Sequence, residues 1–169
     1  MGVNLQPLIK FKPISLQSLK GCRIAVDGMN MLYQILYNPY QMQKKLPDTF
    51  YLDRTQQVIT HLYGWLQKII NFYKNGILPV IVFDGKHDQL KKPSKIDTAR
   101  NFLHLRDLYS KSLKNGKYTV AKKIALNKNY LWVNCLHESK RLLEMCGIPV
   151  IMAPTEAEAQ CVALQKKGL

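Results

Sequence analysis

The sequence predicts an α/β fold in which a parallel β-sheet is flanked by helices. Three short apolar runs, at residues 22–26, 78–83 and 148–152, are rich in β-branched residues and bounded by turn residues, as buried strands are. Helical periodicity separates these runs, and a strand, a helix and a second parallel strand form a right-handed crossover unit. With 169 residues, 47% of them hydrophobic, the chain can bury one sizeable core.

The first half of the chain is predicted to contain three helical segments. Residues 15–20 can form one short helical turn, and residues 30–37 can form a helix whose first residue, an asparagine, caps it. Residues 38–53 contain two prolines and no sustained period, which favours a loop or a small hairpin. Residues 55–75 follow the three-and-four spacing of an amphipathic helix, and Gly76 occupies the position of a left-handed cap.

The second half begins with a strongly basic segment. Residues 86–128 contain 12 Lys or Arg and only 3 Asp, which supplies nine of the fourteen net positive charges. Ser94 begins a capping-box pattern for a helix that Gly116 can end. A second helix is predicted over residues 119–146, and a last helix over residues 155–167.

Each predicted strand is followed by acidic residues, which indicates a metal site. Asp27 and Asp84 each follow a strand directly and precede a glycine, and Glu156 and Glu158 follow the third strand. Because the carboxyl ends of parallel strands meet at one edge of a sheet, we expect these four carboxylates to converge. Gathered carboxylates repel one another unless cations lie between them, and oxygen ligands suit Mg²⁺ or Mn²⁺. Two such ions roughly 4 Å apart are the usual arrangement for hydrolysis of a phosphodiester, so the pattern fits a nuclease.

Each of these acids also has a purely structural interpretation. Thr155 and Glu158 form a capping box, and acids in a first helical turn favour the helix dipole. Asp27 and Asp84 can be turn formers, since Asp-Gly is a common turn dipeptide. Their joint occurrence after three apolar runs, in a chain with only 11 acids, favours the metal site.

The charge of the chain points to a polyanionic partner. The formal net charge is +14, from 25 Lys and Arg against 11 Asp and Glu, which indicates nucleic acid first and an anionic membrane surface second. The basic residues lack a clean amphipathic helix with an aromatic apolar face, so we expect no membrane partner. The basic segment 86–128 can also be simply a solvated face. No signal peptide is apparent at the N-terminus, and we expect an intracellular protein.

Four ordered blocks of the sequence carry a family resemblance. They are Arg-Ile-Ala-Val-Asp-Gly-Met-Asn-Met-Leu-Tyr-Gln from Arg23, Thr-His-Leu-Tyr-Gly from Thr60, Gly-Ile-Leu-Pro-Val-Ile-Val-Phe-Asp-Gly from Gly76, and Gly-Ile-Pro-Val-Ile-Met-Ala-Pro-Thr-Glu-Ala-Glu-Ala-Gln from Gly147. The blocks resemble those of the flap endonucleases, structure-specific 5′ nucleases of DNA replication and repair, and the archaeal branch most of all. The resemblance implies a PIN-like α/β nuclease domain that cuts 5′-flap or forked DNA with two divalent ions, Mg²⁺ or Mn²⁺. It also implies that the protein is located in the cytoplasm of an archaeon or in the nucleus of a eukaryote.

The resemblance implies catalytic roles for six residues. The acids that match the family's metal ligands are Asp27, Asp84, Glu156 and Glu158. Lys91 matches a lysine at the base of a helical arch, where a cation can steady charge on the phosphate. The family's arch carries an arginine two helical turns later, but Thr98 stands at that spacing, so Arg100 is the nearest substitute. Residues 86–128 correspond to this arch, inserted between the second and third strands.

The resemblance also implies contacts with DNA. Tyr33 matches the aromatic residue on which the base beside the scissile phosphate stacks, a contact of about 1 to 3 kcal/mol per base. Lys68 occupies a position where the family usually has an arginine that faces DNA, and Gly2 matches the processed N-terminus beside the active site. At the start of the arch, the expected DNA contacts are Lys86, Lys92 and Lys95.

The resemblance extends over only part of the family's nuclease domain. In the family a second half follows, with three more metal-binding aspartates, a helix-turn-helix element and usually a segment for the sliding clamp. We therefore expect residues 1–169 to be the N-terminal part of a single nuclease domain, completed by a second polypeptide or truncated. A sheet of three strands would then leave an unpaired edge and an exposed apolar face.

Two other functions remain open at the level of the sequence. A non-catalytic nucleic-acid-binding subunit would keep the basic arch and have lost its chemistry. A PIN-like RNA-processing nuclease would also gather acids at strand ends, although the Thr-Glu-Ala-Glu-Ala block from Thr155 argues against it. Affinity for forked DNA without cleavage would favour the first, and preference for RNA would favour the second.

Overall fold

The computed structural model describes residues 13–37, 50–85 and 92–168, with the side chains of residues 92–98 excepted. A short 3₁₀ turn at Leu16–Leu19, capped by Ser15, precedes the first strand, as the sequence predicts. The strands are β1 (Arg23–Asp27), β2 (Leu78–Phe83) and β3 (Val150–Met152), and the helices are α1 (Gly28–Tyr37), α2 (Thr60–Lys74), α3 (Lys92–Lys114), α4 (Tyr118–Ala125), α5 (Lys128–Met145) and α6 (Ala157–Lys166).

The three strands form one parallel sheet in the order β1-β2-β3, which confirms the predicted fold class. Asp27 at the end of β1 is paired with Val82, and Met152 at the end of β3 is paired with Phe83. All three strands therefore end at the same edge of the sheet. The central strand β2 is buried at every position after its first residue, whereas β1 and β3 are more exposed.

The core lies mainly on one face of the sheet. Helices α1, α2 and α5 cover this face, and Trp65 of α2 meets Phe83 of β2 edge to face, with ring centroids 6.4 Å apart. On the opposite face, Val82 and Ala153 pack against Ala157 of α6. Among the described helices, α6 is the one that packs on this second face, so the sheet is covered unevenly.

The basic helices α3 and α4 are fixed to the rest of the molecule through α5 and through the segment before α2. The Tyr109 hydroxyl donates a hydrogen bond of 2.8 Å to the carbonyl oxygen of Thr55, ahead of α2. Phe102 stacks on Tyr130 of α5 with ring centroids 5.4 Å apart, and burial raises the pKa of Tyr130 to about 12. These contacts hold the helices that carry many of the positive charges beside the core.

Within the described residues, no helix combines the length and the apolar character needed to cross a membrane.

Several predicted boundaries are wrong, and hydrogen bonds account for two of the errors. The helix predicted from residue 55 begins at Thr60, because the Asp53 carboxylate accepts backbone hydrogen bonds of 2.8 Å from Thr55 and Gln57. The helix predicted over residues 119–146 is two helices, α4 and α5. The Asn127 side chain accepts from two backbone amides of α5 and starts a new helix there.

The predicted caps of two other helices are also wrong. Helix α1 begins at Gly28, and the Asp27 carboxylate accepts a hydrogen bond of 3.0 Å from the Asn30 amide, so Asp27 takes the role expected of Asn30. Helix α3 begins at Lys92, so Ser94 lies within it.

The first predicted strand is shifted by one residue, to Arg23–Asp27, and the third is shorter, at Val150–Met152. The predicted loop is described only from residue 50 onward, where Leu52 and Val58 form an isolated antiparallel bridge.

Helices α1 and α2 approach each other closely at Gly64. A Cβ atom at this position would overlap Cγ2 of Ile35, a buried residue of α1. Glycine in a helix interior lowers the stability of the helix by about 1 kcal/mol relative to alanine. The glycine at this position is therefore explained by the close packing of the two helices.

We expect Gly64→Ala to lower the free energy of unfolding by about 1 to 3 kcal/mol, because the added methyl group overpacks the contact with Ile35. In an Ile35→Ala background, the same substitution should be neutral or stabilising by up to about 1 kcal/mol, because alanine is the better helix former. Urea denaturation of the wild type, both single variants and the double variant measures this coupling. Additive effects of the two substitutions would contradict the packing argument.

Candidate active site

Three carboxylates lie at the edge of the sheet where the strands end. Asp27 is the last residue of β1, and Asp84 follows the last residue of β2. Glu158 lies in the first turn of α6, the helix that follows β3. Since neighbouring strands are about 4.8 Å apart, the parallel register brings the two aspartates close together.

The electrostatics of Asp27 show that these acids are near one another. Burial raises the pKa of Asp27 above its usual value, and the negative charges of Glu158 and Asp84 raise the pKa further. The backbone hydrogen bonds from Asn30 and Met29 act in the opposite direction. The pKa of Cys161 in α6 is also raised, first by burial and then by the charges of Asp27 and Glu158. The edge is thus an acidic site with partial exclusion of water.

Asp84 has a structural role that the sequence did not reveal. Its Oδ1 atom accepts a hydrogen bond of 2.9 Å from the backbone N–H of Ala157, the first residue of α6. The predicted cap, Thr155, is wrong, because the N-cap position belongs to Glu156, whose side chain makes no capping hydrogen bond. The carboxylate from β2 therefore caps α6 and holds the turn that carries Glu158 beside it.

A glycine lets the chain after β3 approach this site. The N–H of Gly85 donates a hydrogen bond of 2.9 Å to the carbonyl oxygen of Thr155, and the N–H of Ala153 donates one of 2.8 Å to that of Phe83. A Cβ atom on Gly85 would overlap the carbonyl oxygen of Ala153. The glycine after Asp84 thus permits the contact that brings α6 to the edge of the sheet.

The three acids are chemically suited to a divalent cation but do not form a closed ligand set. Each aspartate binds a backbone amide through Oδ1, which leaves its other oxygen as a possible ligand. Among the side chains that the structure describes, those of residues 13–37, 50–85 and 99–168, no Lys, Arg or His forms an ion pair with Asp27, Asp84 or Glu158. No group of three or more His, Cys, Asp or Glu in these ranges has the arrangement of metal ligands. The charges of Asp84 and Glu158 thus act on Asp27, and the side chain of Glu156 is exposed at the N-cap of α6.

The other predicted site residues are distributed over the surrounding helices. Tyr33 is 58% exposed on α1, with its ring centroid 5.0 Å from that of Tyr37. Lys68 is half-buried in the middle of α2, and Arg100 is exposed on α3. Gly2, Lys86 and Lys91 lie outside the described residues, as do the side chains of Lys92 and Lys95.

A cavity beside Tyr33 contains residues that the sequence analysis did not select. Its volume is about 660 Å³, and it lies between α1 and the beginning of α5. The aromatic residues in its wall are Tyr33, Tyr37, Phe50 and Trp132. Trp132 is about 100 residues from Tyr33 in the sequence, and no local pattern connects the two. Only the packing of α5 against α1 brings them together.

One lysine also lies near the end of β2. The Nζ atom of Lys140 in α5 is 5.1 Å from the centre of the Phe83 ring. Burial lowers the pKa of Lys140, and the charge of Glu144 partly offsets that effect. Phe83 immediately precedes Asp84, so a cation–π contact supports the strand at the point where the site begins.

The chain is similar in sequence to known proteins. Residues 1–101 match the XPG N-terminal domain and residues 147–169 match the XPG I-region. Flap endonuclease 1 of Aeropyrum pernix is 37% identical over 172 residues, and Flap endonuclease 1 of Pyrococcus furiosus is 32% identical over 168 residues. Each alignment covers 99% of this chain and 48% of the relative. The chain spans about half the length of the curated relatives it matches.

Solved structures show the same fold. The catalytic core of Rad2 in complex with DNA substrate superposes with a TM-score of 0.52 at 28% identity, over 92% of this chain and 37% of that chain. Human GEN1 in complex with Holliday junction DNA superposes with a TM-score of 0.55 at 22% identity, over 99% of this chain and 34% of that one. At that identity the second likeness concerns the fold alone. Since the XPG N-terminal domain matches more than half of its length, this chain belongs to the XPG family.

Proposed function

We propose that this chain forms part of a divalent-metal-dependent nuclease that cuts DNA carrying a 5′ flap or fork. The observation that carries the proposal is the position of Asp27, Asp84 and Glu158 at the edge where the parallel strands end. The charges of Asp84 and Glu158 also raise the pKa of Asp27 there. The relatives named flap endonuclease and the Rad2 core bound to DNA support the same chemistry for this chain.

In this proposal Asp27, Asp84 and Glu158 hold Mg²⁺, or Mn²⁺, and Glu156 joins them from the N-cap of α6. When bound, two such cations supply an activated water and neutralise charge on the phosphate. The backbone hydrogen bonds to Asp27 and Asp84 orient these carboxylates before any ion arrives. Because DNA and these carboxylates are both negatively charged, binding DNA near them also requires positively charged side chains.

Tyr33 stacks on the base beside the scissile phosphate, and Lys68 contacts the DNA backbone. In this proposal the single strand of the substrate passes through the basic arch, residues 86–128. Its cations Lys91 and Arg100 steady charge on the phosphate. Gly2 is included among the DNA contacts because the family resemblance implies this role. The remaining DNA contacts proposed from the arch are Lys86, Lys92 and Lys95.

The proposal includes further carboxylates from polypeptide beyond these 169 residues, either continuous with the chain or separate from it. Mg²⁺ prefers six oxygen ligands, and the described acids are too few to hold two ions firmly. The uneven cover of the sheet also leaves a face on which such polypeptide can pack. A sliding clamp would bind through that added part, and the assembly would act inside the cell, where its DNA substrate is.

We expect Asp84→Asn to reduce cleavage of a labelled 5′-flap DNA by roughly 100-fold or more in the complete assembly, because a metal ligand loses its charge. The asparagine oxygen can still accept the hydrogen bond from Ala157, so the free energy of unfolding should change little. Asp84→Ala should lose both cleavage and about 1 kcal/mol of stability. Glu144→Gln, on an exposed acid of α5, is the matched control and should cleave normally. Unchanged cleavage by Asp84→Asn would exclude this aspartate from the site.

Addition of millimolar Mg²⁺ should raise the melting temperature of the wild type by about 2 to 5 °C, because a cation bound by the acids stabilises the folded state. Glu158→Gln should lose most of this shift, whereas Glu144→Gln should keep it. Thermal denaturation in Mg²⁺ and in NaCl of equal ionic strength separates specific binding from screening. The same shift in Glu158→Gln as in the wild type would contradict the assignment of Glu158.

Completion by further polypeptide has its own test. The 169-residue chain alone should cut a 5′-flap substrate poorly, and a separately expressed second half of the nuclease should increase the rate at least about 100-fold, because it completes the metal site. The measurement is the cleavage rate across a titration of the second half. A rate that this titration leaves unchanged would show that the chain is sufficient by itself.

A further inference from the structure

The ring of Phe83 connects the two aspartates at the edge of the sheet. Phe83 is the last residue of β2 and directly precedes Asp84, and its side chain is fully buried. The ring lies against Gly28, the first residue of α1, which directly follows Asp27. A Cβ atom on Gly28 would come within 2.7 Å of Cε1 of Phe83, closer than carbon atoms of separate residues pack. One aromatic ring thus links the two segments that carry the acids.

The pairing of the strands does not by itself fix the distance between these acids. The register of β1 and β2 ends with the pair Asp27 and Val82, two residues before Asp84. Beyond that pair, Asp84 is tied to the first turn of α6 by its hydrogen bond. On the side of β1, the contact between the Phe83 ring and Gly28 holds the end of β2 against the beginning of α1.

Lys140 of α5 contacts the same ring. Its Nζ atom is 5.1 Å from the ring centre, within the range of a cation–π interaction. Trp65 of α2 meets the ring of Phe83 edge to face. The Lys140 side chain is half-buried, and burial lowers its pKa, so water competes less with the ring for the charge. The ring is therefore held by an aromatic side chain and by a cation.

Lys140 does not act as a counter-ion of the acids. Among the described side chains, it forms no ion pair with Asp27, Asp84 or Glu158. The acid whose charge acts on Lys140 is Glu144, one turn further along α5. The charges that act on Asp27 are those of Glu158 and Asp84. The effect of Lys140 on the site therefore passes through the ring.

We propose that Phe83 and Lys140 are positioning residues for the metal site. The Lys140 cation holds the Phe83 ring against Gly28, and the ring sets the separation of the two aspartates. The inference rests on the proposed function in taking a divalent cation as the ligand of these acids. Mg²⁺ demands near-octahedral geometry, so two carboxylates that share it must lie at a defined separation. A ring that is free to move leaves this separation undefined and weakens binding of the cation.

The test is Mn²⁺ binding by the complete assembly without DNA, measured from the electron paramagnetic resonance signal of free Mn²⁺. Lys140→Met keeps the length of the side chain and removes its charge, and it should raise the dissociation constant about threefold to tenfold. Lys140→Arg keeps a cation over the ring and should stay within about twofold of the wild type. Lys74→Met, on the exposed last residue of α2, is the matched control and should bind Mn²⁺ as the wild type does.

A double-mutant cycle tests whether Lys140 acts through the ring. In a Phe83→Leu background, Lys140→Met should change the Mn²⁺ dissociation constant by less than about twofold, because the ring is already absent. Circular dichroism identifies the folded variants, and the affinity of the folded state does not depend on a general loss of stability. If Phe83→Leu folds poorly, pentafluorophenylalanine at position 83 keeps the shape of the ring and weakens its attraction for a cation. That variant should reproduce the effect of Lys140→Met.

Cleavage kinetics separate positioning of the metal ligands from a contact with DNA. Lys140→Met should raise the Mg²⁺ concentration that gives half the maximal rate about threefold or more, and it should leave KM for flap DNA within about twofold. A raised KM for DNA with unchanged Mn²⁺ binding would mean that Lys140 contacts the substrate, and it would overturn the positioning role.

The outcomes separate this inference from the proposed function. Unchanged or tighter Mn²⁺ binding by Lys140→Met would overturn the positioning role, and so would additive effects in the cycle with Phe83→Leu. Weaker Mn²⁺ binding by Lys140→Met in an assembly that never cleaves DNA would support the positioning role and contradict the nuclease. Absence of Mn²⁺ binding by the wild type would overturn both.

Discussion

The hydrogen bond from the N–H of Ala157 to the carboxylate of Asp84 is the contact on which the arrangement of the site depends. It joins the end of the central strand to the start of α6, two segments that are 73 residues apart. Gly85 and Thr155 add a backbone hydrogen bond next to it, in a place where any side chain on Gly85 would obstruct the approach. Together they determine where the first turn of α6, and with it Glu158, lies.

This arrangement gathers negative charge and leaves it partly uncompensated. The amide of Ala157 and the helix dipole of α6 stabilise the Asp84 carboxylate, but Asp27 is held with a raised pKa by burial and by its acidic neighbours. The folded chain therefore keeps a repulsion between carboxylates that does not contribute to the stability of the fold. A divalent cation would convert that repulsion into binding free energy, which is the physical basis of the nuclease proposal.

The basic part of the molecule is positioned by uncharged contacts. Tyr109 of α3 donates a hydrogen bond to Thr55 in the loop before α2, and Phe102 of α3 stacks on Tyr130 of α5. A hydrogen bond and aromatic packing thus hold the basic helices in place. Arg100, Arg106, Lys111, Lys114 and Lys123 of these helices lie on exposed surface, where they can face a polyanion. Residues of the same helix α5 also line the cavity beside Tyr33, so one element links the basic surface to that cavity.

The sequence by itself determined the three strands, their parallel direction and the acids that follow them, but not their order in the sheet. Local chemistry is sufficient for these features, since β-branched runs and Asp-Gly dipeptides act over a few residues. The helix-ending glycines Gly76 and Gly116 were equally visible, because a positive φ at a helix end favours glycine. The four acids proposed as metal ligands followed from the pattern of strands and acids, whereas Lys91 and Arg100 were added to the proposed catalytic residues by the family resemblance alone.

The tertiary structure decided the rest, because the partners are distant in the chain. Helix α6 takes its cap from Asp84 and not from Thr155, and only folding can bring a carboxylate from another strand to that amide. The start of α2 depends on a loop closed by Asp53, and the wall formed by Trp132 beside Tyr33 depends on how two helices pack. Periodicity and propensity describe a segment alone, whereas caps, repulsion between acids and cavities arise between segments.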